Sequence, residues 1–226
     1  MDVVRHLRFS VLNKDEVSAL LVLPVDATCL LVMAHGAGAG MTHSFMEAIA
    51  RELASAGVAT FRYQFPYLEQ RRRIPDARHV LTSTVVAAVQ AAAESAPELS
   101  LFAGGKSMGG RMTSLAAAEQ TLDGVRGLVF FGFPLHPPKR PGVKRAEHLK
   151  RVKLPLLFLQ GTRDALADLA LLRPICDALG SQATLHAIEG ADHSFHVLKR
   201  SGKTDTDVLS ELSHTVKSWA VAHRDS

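Results

Sequence analysis

An α/β fold built on a mostly parallel sheet is what this sequence predicts, and three observations carry the prediction. Short β-branched apolar runs alternate with longer stretches of helical periodicity along nearly the whole chain. The run Cys29–Ala34 is continuously apolar, as a strand covered on both faces must be. Glycine-containing turns follow several of these runs, where open parallel sheets place their ligand-binding loops.

Taken in order, Leu7–Leu12 and Ala19–Leu23 read as a hairpin, with Asn13, Lys14 and Asp15 at its turn. Cys29–Ala34 is a central strand. The helix after it places Phe45, Ile49, Leu53 and Ala56 on one face and ends at Gly57. Val58–Tyr63 is a strand, and residues 76–94 form an alanine- and valine-rich helix. A strand over residues 99–104, a helix over 107–120, and strands over 125–133 and 155–160 follow. Residues 166–179 are helical and stop at Gly180. Ala183–Ile188 is the last strand, and Val208, Leu212, Val216 and Trp219 mark the last helix. No repeat, low-complexity tract or linker interrupts this pattern, so the chain reads as one domain over residues 1–226.

Size and composition narrow the function classes. A chain of 226 residues, 47% hydrophobic and 21% charged, buries a substantial core and is neither disordered nor fibrous. The first ten residues carry Asp2, Arg5, His6 and Arg8 with no apolar run after them, so no signal peptide is expected. The apolar stretch from Ala19 to Ala34 is broken by Pro24 and Asp26, too short and too interrupted for a bilayer. Cys29 and Cys176 sit in apolar contexts and read as buried, reduced thiols, as in the cytoplasm. The net charge of +4 is local in origin. Between Pro134 and Leu154, Lys139, Arg140, Lys144, Arg145, Lys150, Arg151 and Lys153 face a single acid, Glu147, and the remainder of the chain is net acidic. That segment reads as a solvated loop, and no nucleic-acid or membrane partner is expected.

The chemistry lies at strand ends. Gly105-Lys106-Ser107-Met108-Gly109 follows a strand and opens a helix, the context a G-x-S-x-G nucleophile turn requires. Its serine needs a sharp, strained backbone, and its glycines leave room for neighbouring elements. The helix start places backbone N–H groups where charge develops during acyl transfer. His35-Gly36-Ala37-Gly38-Ala39-Gly40 follows Cys29–Ala34 and brings a second set of backbone donors: Met108 supplies one oxyanion donor and Ala37 the other, with Gly38 as the alternative. A phosphate-binding loop fails on detail: Gly40 is followed by Met41 and Thr42, so the lysine of G-K-[ST] is missing. Asp164, in Gly161-Thr162-Arg163-Asp164, is placed to orient a histidine; Asp168, four residues on, fits the first turn of the next helix. His193, after the last strand, is the candidate base, with His196 as the fallback and Asp192 left aside. Ser107, Asp164 and His193 then run in the order nucleophile, acid, base.

The segments HGAGAGMTHSFM (35–46), RYQFPY (62–67), GGKSMGGRM (104–112), GTRD (161–164) and GADHSF (190–195) resemble the α/β-hydrolase superfamily. Within it they are most similar to the lidless, dienelactone-hydrolase-like group that includes testis-expressed protein 30 and the hydrolase-like domain of an NSL-complex subunit. The resemblance implies the α/β-hydrolase fold: an eight-stranded, mostly parallel sheet with antiparallel first strands, flanked by helices. It also implies Ser107, Asp164 and His193 as the triad and Ala37 and Met108 as oxyanion donors. Ser107 stands where dienelactone hydrolases carry cysteine, which turns the expectation toward esters or thioesters. The interval from Pro134 to Leu154 is too short for a cap domain, so an open site for small acyl substrates is expected, lined by Gly36, Gly38, Phe65, Tyr67 and His136. Lys106 and Arg111 read as a solvated face, with an anionic substrate as the other reading. No metal or other cofactor is called for, and the oligomeric state stays open. A non-catalytic scaffold and a peptidase are the rival functions.

Overall fold

The computed structural model describes residues 3–12 and 15–224. Its strands are β1 (Val3–Ser10), β2 (Glu16–Leu23), β3 (Cys29–Ala34), β4 (Val58–Tyr63), β5 (Ser100–Lys106), β6 (Val125–Phe131), β7 (Leu156–Gly161) and β8 (Ala183–Ile188). They form one sheet in the order β1-β2-β4-β3-β5-β6-β7-β8. β1 pairs antiparallel with β2, β2 antiparallel with β4, and every later pairing is parallel. The helices are α1 (Ser44–Ser55), α2 (Pro66–Glu69), α3 (Arg78–Ser95), α4 (Met108–Glu119), α5 (Leu169–Leu179) and α6 (Asp205–His223).

The period-2 alternation of a strand divides the core between the two faces. On β3, Leu30, Val32 and Ala34 face one apolar layer, while Cys29, Leu31 and Met33 face the other. The first layer is closed by α3, α4 and α5, through residues such as Val85, Leu115 and Leu172. The second is closed by α1 and α6, through Ile49, Leu53, Leu212 and Trp219. Helix α6 starts at a reciprocal cap: the Thr204 side chain accepts from Asp207 N–H, and the Asp207 carboxylate accepts from the Thr204 N–H. No described helix is long and apolar enough to cross a membrane. Cys29 and Cys176 are free and buried.

The predicted bounds of β3, β4 and β8 coincide with the observed ones. β1 starts earlier than predicted, because the register carries Val3 opposite Leu23 at an exposed edge where no apolar alternation signals it. Of the predicted hairpin turn, Asn13 and Lys14 lie outside the described residues; Asp15 accepts a hydrogen bond from Val11 N–H. β5 runs on through Gly104 and Gly105 to Lys106, since the ladders to Ala34 and Phe131 hold backbone that the glycines alone would release. Helix α5 begins at Leu169, capped by Asp168, whose carboxylate accepts from Ala170 N–H.

The basic segment departs from expectation. Lys144–Arg151 is a 3₁₀ helix with Ala146, His148 and Leu149 buried against the core, not a solvated loop. His148 Nε2 meets Ser114 Oγ of α4 at 2.7 Å. The segment therefore lies along α4 and builds no cap.

Chain order reverses at β3: its neighbours are β4 on one side and β5 on the other. In open α/β sheets a crevice opens beyond the carboxyl ends of strands at such a point. The loops after β3 and β5 meet there.

Candidate active site

Ser107 occupies the turn between β5 and α4 at φ 52° and ψ −116°, a backbone region that costs a non-glycine residue of the order of 1–3 kcal/mol. The surroundings impose it. Ser107 N–H donates to Phe131 O at 3.1 Å, and Arg111 N–H donates back to Ser107 O at 3.1 Å. A methyl group at Gly105 or Gly109 would stand 2.2 or 2.3 Å from the Ala34 carbonyl oxygen, so both glycines let the turn close onto the end of β3. The loop after β3 lies alongside, with a methyl at Gly36 only 3.7 Å from Ser107 Cβ. Met108 opens α4, so its N–H has no partner within the helix. Ala37 and Gly38 are exposed beside the serine.

His193 comes from the loop after β8. Its Nε2 accepts from Ser107 Oγ–H at 2.8 Å, and its Nδ1–H donates to Asp164 Oδ2 at 2.7 Å. Asp164, after β7, is buried and held by two further donors. Gln160 Nε2 donates to Oδ2 at 2.5 Å, and Leu166 N–H donates to Oδ1 at 2.7 Å. Gln160 is fully buried, its own Oε1 has no partner, and nothing in its position as a strand-terminal polar residue distinguishes it in the sequence.

Lys106 corrects an expectation. It is not on a solvated face: its ammonium donates to His193 O at 2.5 Å and lies 5.6 and 5.3 Å from the ring centres of Phe45 and Phe195. Burial lowers its pKa to about 8, a fall that Asp164 and Asp192 limit. Asp192 closes the histidine loop by accepting from Ser194 and His196 N–H groups. His196, the fallback base, is exposed and paired with Asp205 at 2.8 Å.

Three of the side chains expected to line the pocket are buried. Phe65 and Tyr67 are fully buried beneath the 35–40 loop, with Phe65 edge-on to His35 at 4.9 Å between ring centres. His136 is buried too: its Nδ1–H donates to Pro137 O and its Nε2 accepts from Asp168 N–H, which ties the loop after β6 to α5. Gly36 is buried next to Ser107, and Gly38 stays at the surface. Among the described residues no group of three or more His, Cys, Asp or Glu converges on a metal position.

His35 anchors the loop. Its Nδ1–H donates to Gly36 O at 2.8 Å and its Nε2 accepts from Phe65 N–H at 3.1 Å, so both nitrogens are satisfied only in the neutral ring. Burial pushes it down to about 4. His148 is also pushed to about 4, first by burial and then by Arg111, Arg151 and Arg78. In the unfolded chain both titrate near 6.5. Above that pH both are neutral in either state and their contribution is complete. As the pH falls from about 6.5 toward 4, the unfolded chain binds protons that the folded chain refuses, so stability is lost, by about 3 kcal/mol for His35 at the lower end and by less for the more solvent-screened His148. Urea denaturation across this range should show that loss, and His148→Gln should reduce its slope. An identical slope in the variant would remove His148 from the account.

The chain matches the family described as alpha/beta hydrolase domain over residues 27–221. Solved structures share its fold. A dienelactone hydrolase from Anabaena variabilis superposes with a TM-score of 0.77 at 23% identity, covering 98% of both chains. A serine hydrolase without a lid from Xanthomonas campestris gives 0.74 at 20% identity, covering 96% of this chain and 94% of that one. The esterase domain of a Rhodothermus marinus protein gives 0.71 at 17% identity, covering 98% and 99%. At these identities the likeness is one of fold.

Proposed function

The chain belongs to the alpha/beta hydrolase domain family, and on that premise we propose that it is a serine hydrolase cleaving small carboxylic esters or thioesters through an acyl-enzyme on Ser107. One observation carries the reading: an unbroken hydrogen-bonded relay from Ser107 through His193 to a buried Asp164, with the serine held at positive φ. His193 Nε2 takes the hydroxyl proton as Ser107 Oγ attacks the acyl carbonyl. Asp164, fixed by Gln160 and Leu166, keeps the proton on Nδ1 and stabilises the imidazolium that forms. The Met108 and Ala37 N–H groups receive the oxyanion. His193 then protonates the leaving group, and water repeats the sequence to release the acid.

The Lys144–Arg151 helix lies along α4 and leaves the serine uncapped, which favours small or flexible acyl groups. The reading needs no cofactor and treats the chain as one domain; two free buried thiols suit a reducing cytoplasm. Kinship with the group containing testis-expressed protein 30 rests on GGKSMGGR at 104–111.

A fluorophosphonate probe tests the proposal. One equivalent should attach at Ser107, located by peptide mass spectrometry, and the Ser107→Ala protein should stay unlabelled. Folded protein that takes no label would instead support a scaffold. Parallel rates on p-nitrophenyl butyrate, an acyl thioester and a peptide anilide separate esterase from thioesterase and peptidase.

A further inference from the structure

Away from Ser107, a cavity of about 540 Å³ opens between the start of α3, the exposed side of α4, the loop after β6 and the Lys144–Arg151 helix. Arg78, Arg111, Arg140, Lys144, Arg145 and Arg151 converge on it, against one carboxylate, Glu147. Among the described residues only Arg78 of these six has an ion-pair partner, Glu119 at 3.4 Å. The Nε of Arg111 is buried and makes no hydrogen bond. Burial, Arg145 and Arg78 all act against its charge.

Like charges crowded into a concave, partly desolvated space oppose folding unless a counter-charge enters. Arg78, Arg140, Lys144 and Arg151 are exposed around the cavity, whereas Arg111 and Arg145 are half-buried; a fully solvated basic face would leave no buried guanidinium nitrogen without a partner, as Arg111 Nε is here. Here the chain holds them together by burying Leu149 and Ala146 beneath the 3₁₀ helix and by joining His148 to Ser114.

We propose that this cavity binds a small, multiply charged phosphate compound: a phosphate ester or an oligophosphate. Guanidinium groups match the geometry of phosphate oxygens with paired N–H donors. The volume lies in the range of small-molecule sites. No Phe, Tyr or Trp lines the cavity, so it lacks the stacking platform that a single-stranded nucleic acid uses. Arg111 sits one helical turn after Ser107, so the bound anion lies beside the nucleophile's helix without touching the relay. The site stands independently of the hydrolase reading.

Tripolyphosphate is the probe, titrated calorimetrically into the full chain at pH 7.5 and low salt. One equivalent should bind and raise the thermal midpoint. Arg111→Gln on α4 and Arg145→Gln on the 3₁₀ helix should each weaken binding by about tenfold or more, as expected for loss of a charge-assisted contact. Lys139→Gln, in the same basic segment but outside the cavity, should leave the affinity unchanged, and so should Ser107→Ala. Without ligand, the Arg111→Gln protein should be at least as heat-stable as the parent, since repulsion is relieved; should it fail to fold, Arg145→Gln paired with Arg140→Gln serves instead. Three results would overturn the proposal: no heat at millimolar probe, several equivalents bound with no dependence on Arg111 or Arg145, or a short single-stranded RNA bound more tightly than tripolyphosphate.

Discussion

Replacing Ser107 by alanine is expected to lower ester turnover by about 10⁴-fold or more while leaving the fold intact. The size of the effect follows from how the site is connected. Ser107 Oγ is the atom that His193 Nε2 faces at 2.8 Å, so its removal leaves the base nothing to deprotonate except water. What survives is the contribution of the backbone donors and of binding, about 10³–10⁴ over the uncatalysed rate where such triads have been dismantled. The fold is spared because alanine at φ 52° is no more strained than serine. Ser107→Gly extends the test. Glycine relieves the positive φ, so this variant should be equally inactive and more stable than the parent by about 1 kcal/mol. Inactive variants with parental or higher thermal midpoints would show that the strained turn is kept for chemistry. Turnover within tenfold of the parent in either variant would place the nucleophile elsewhere.

The parts of this molecule that were legible in its sequence are those whose signal is local. β3 and β4 are buried on both faces, and an uninterrupted apolar run bounded by turns marks such a strand at both ends. The Gly105–Gly109 turn was legible because both glycines answer to one atom, the Ala34 carbonyl oxygen, and no other side chain fits there. Asp164 and His193 could be picked out because a parallel sheet delivers the residue after each strand to the same edge. What escaped depends on distant partners. Lys106 reads as a surface cation until Phe45 of α1 and Phe195 of the β8 loop enclose it. Phe65, Tyr67 and His136 occupy strand-end positions, but sequence position does not tell which way a side chain turns, and all three turn inward. Helix α2 has only four residues, too few for periodicity to register. The Lys144–Arg151 helix is mostly charged, and its three buried side chains gain meaning only against α4.

Asp164→Asn is expected to cost nearly as much as removal of the nucleophile, about 10⁴-fold in turnover, although it changes a single atom. The reason lies in the hydrogen bonds that hold the carboxylate. In the parent, three donors converge on the carboxylate: Leu166 N–H on Oδ1, and both Gln160 Nε2 and His193 Nδ1–H on Oδ2. An amide offers one oxygen and one NH₂. If its oxygen took the Oδ2 place, the NH₂ would be set against Leu166 N–H, donor against donor, in a buried site. With its oxygen toward Leu166, the NH₂ faces Gln160 and His193. Gln160 can turn its amide and present Oε1, the atom left without a partner in the parent. His193 can accept at Nδ1 only by moving its proton to Nε2. The number of unpartnered atoms is then no greater than in the parent, since Gln160 Nε2 takes the place where Oε1 stood alone, and the imidazole points an N–H at Ser107 where a lone pair is needed. The substitution therefore traps the base in the wrong tautomer at little cost to folding. Fluorophosphonate labelling of Ser107 should slow by the same factor as ester hydrolysis, since both require that proton to leave, while the thermal midpoint stays near that of the parent. Labelling and turnover within tenfold of the parent would reduce Asp164 to a loop anchor and leave His193 oriented by Lys106 and its own backbone alone.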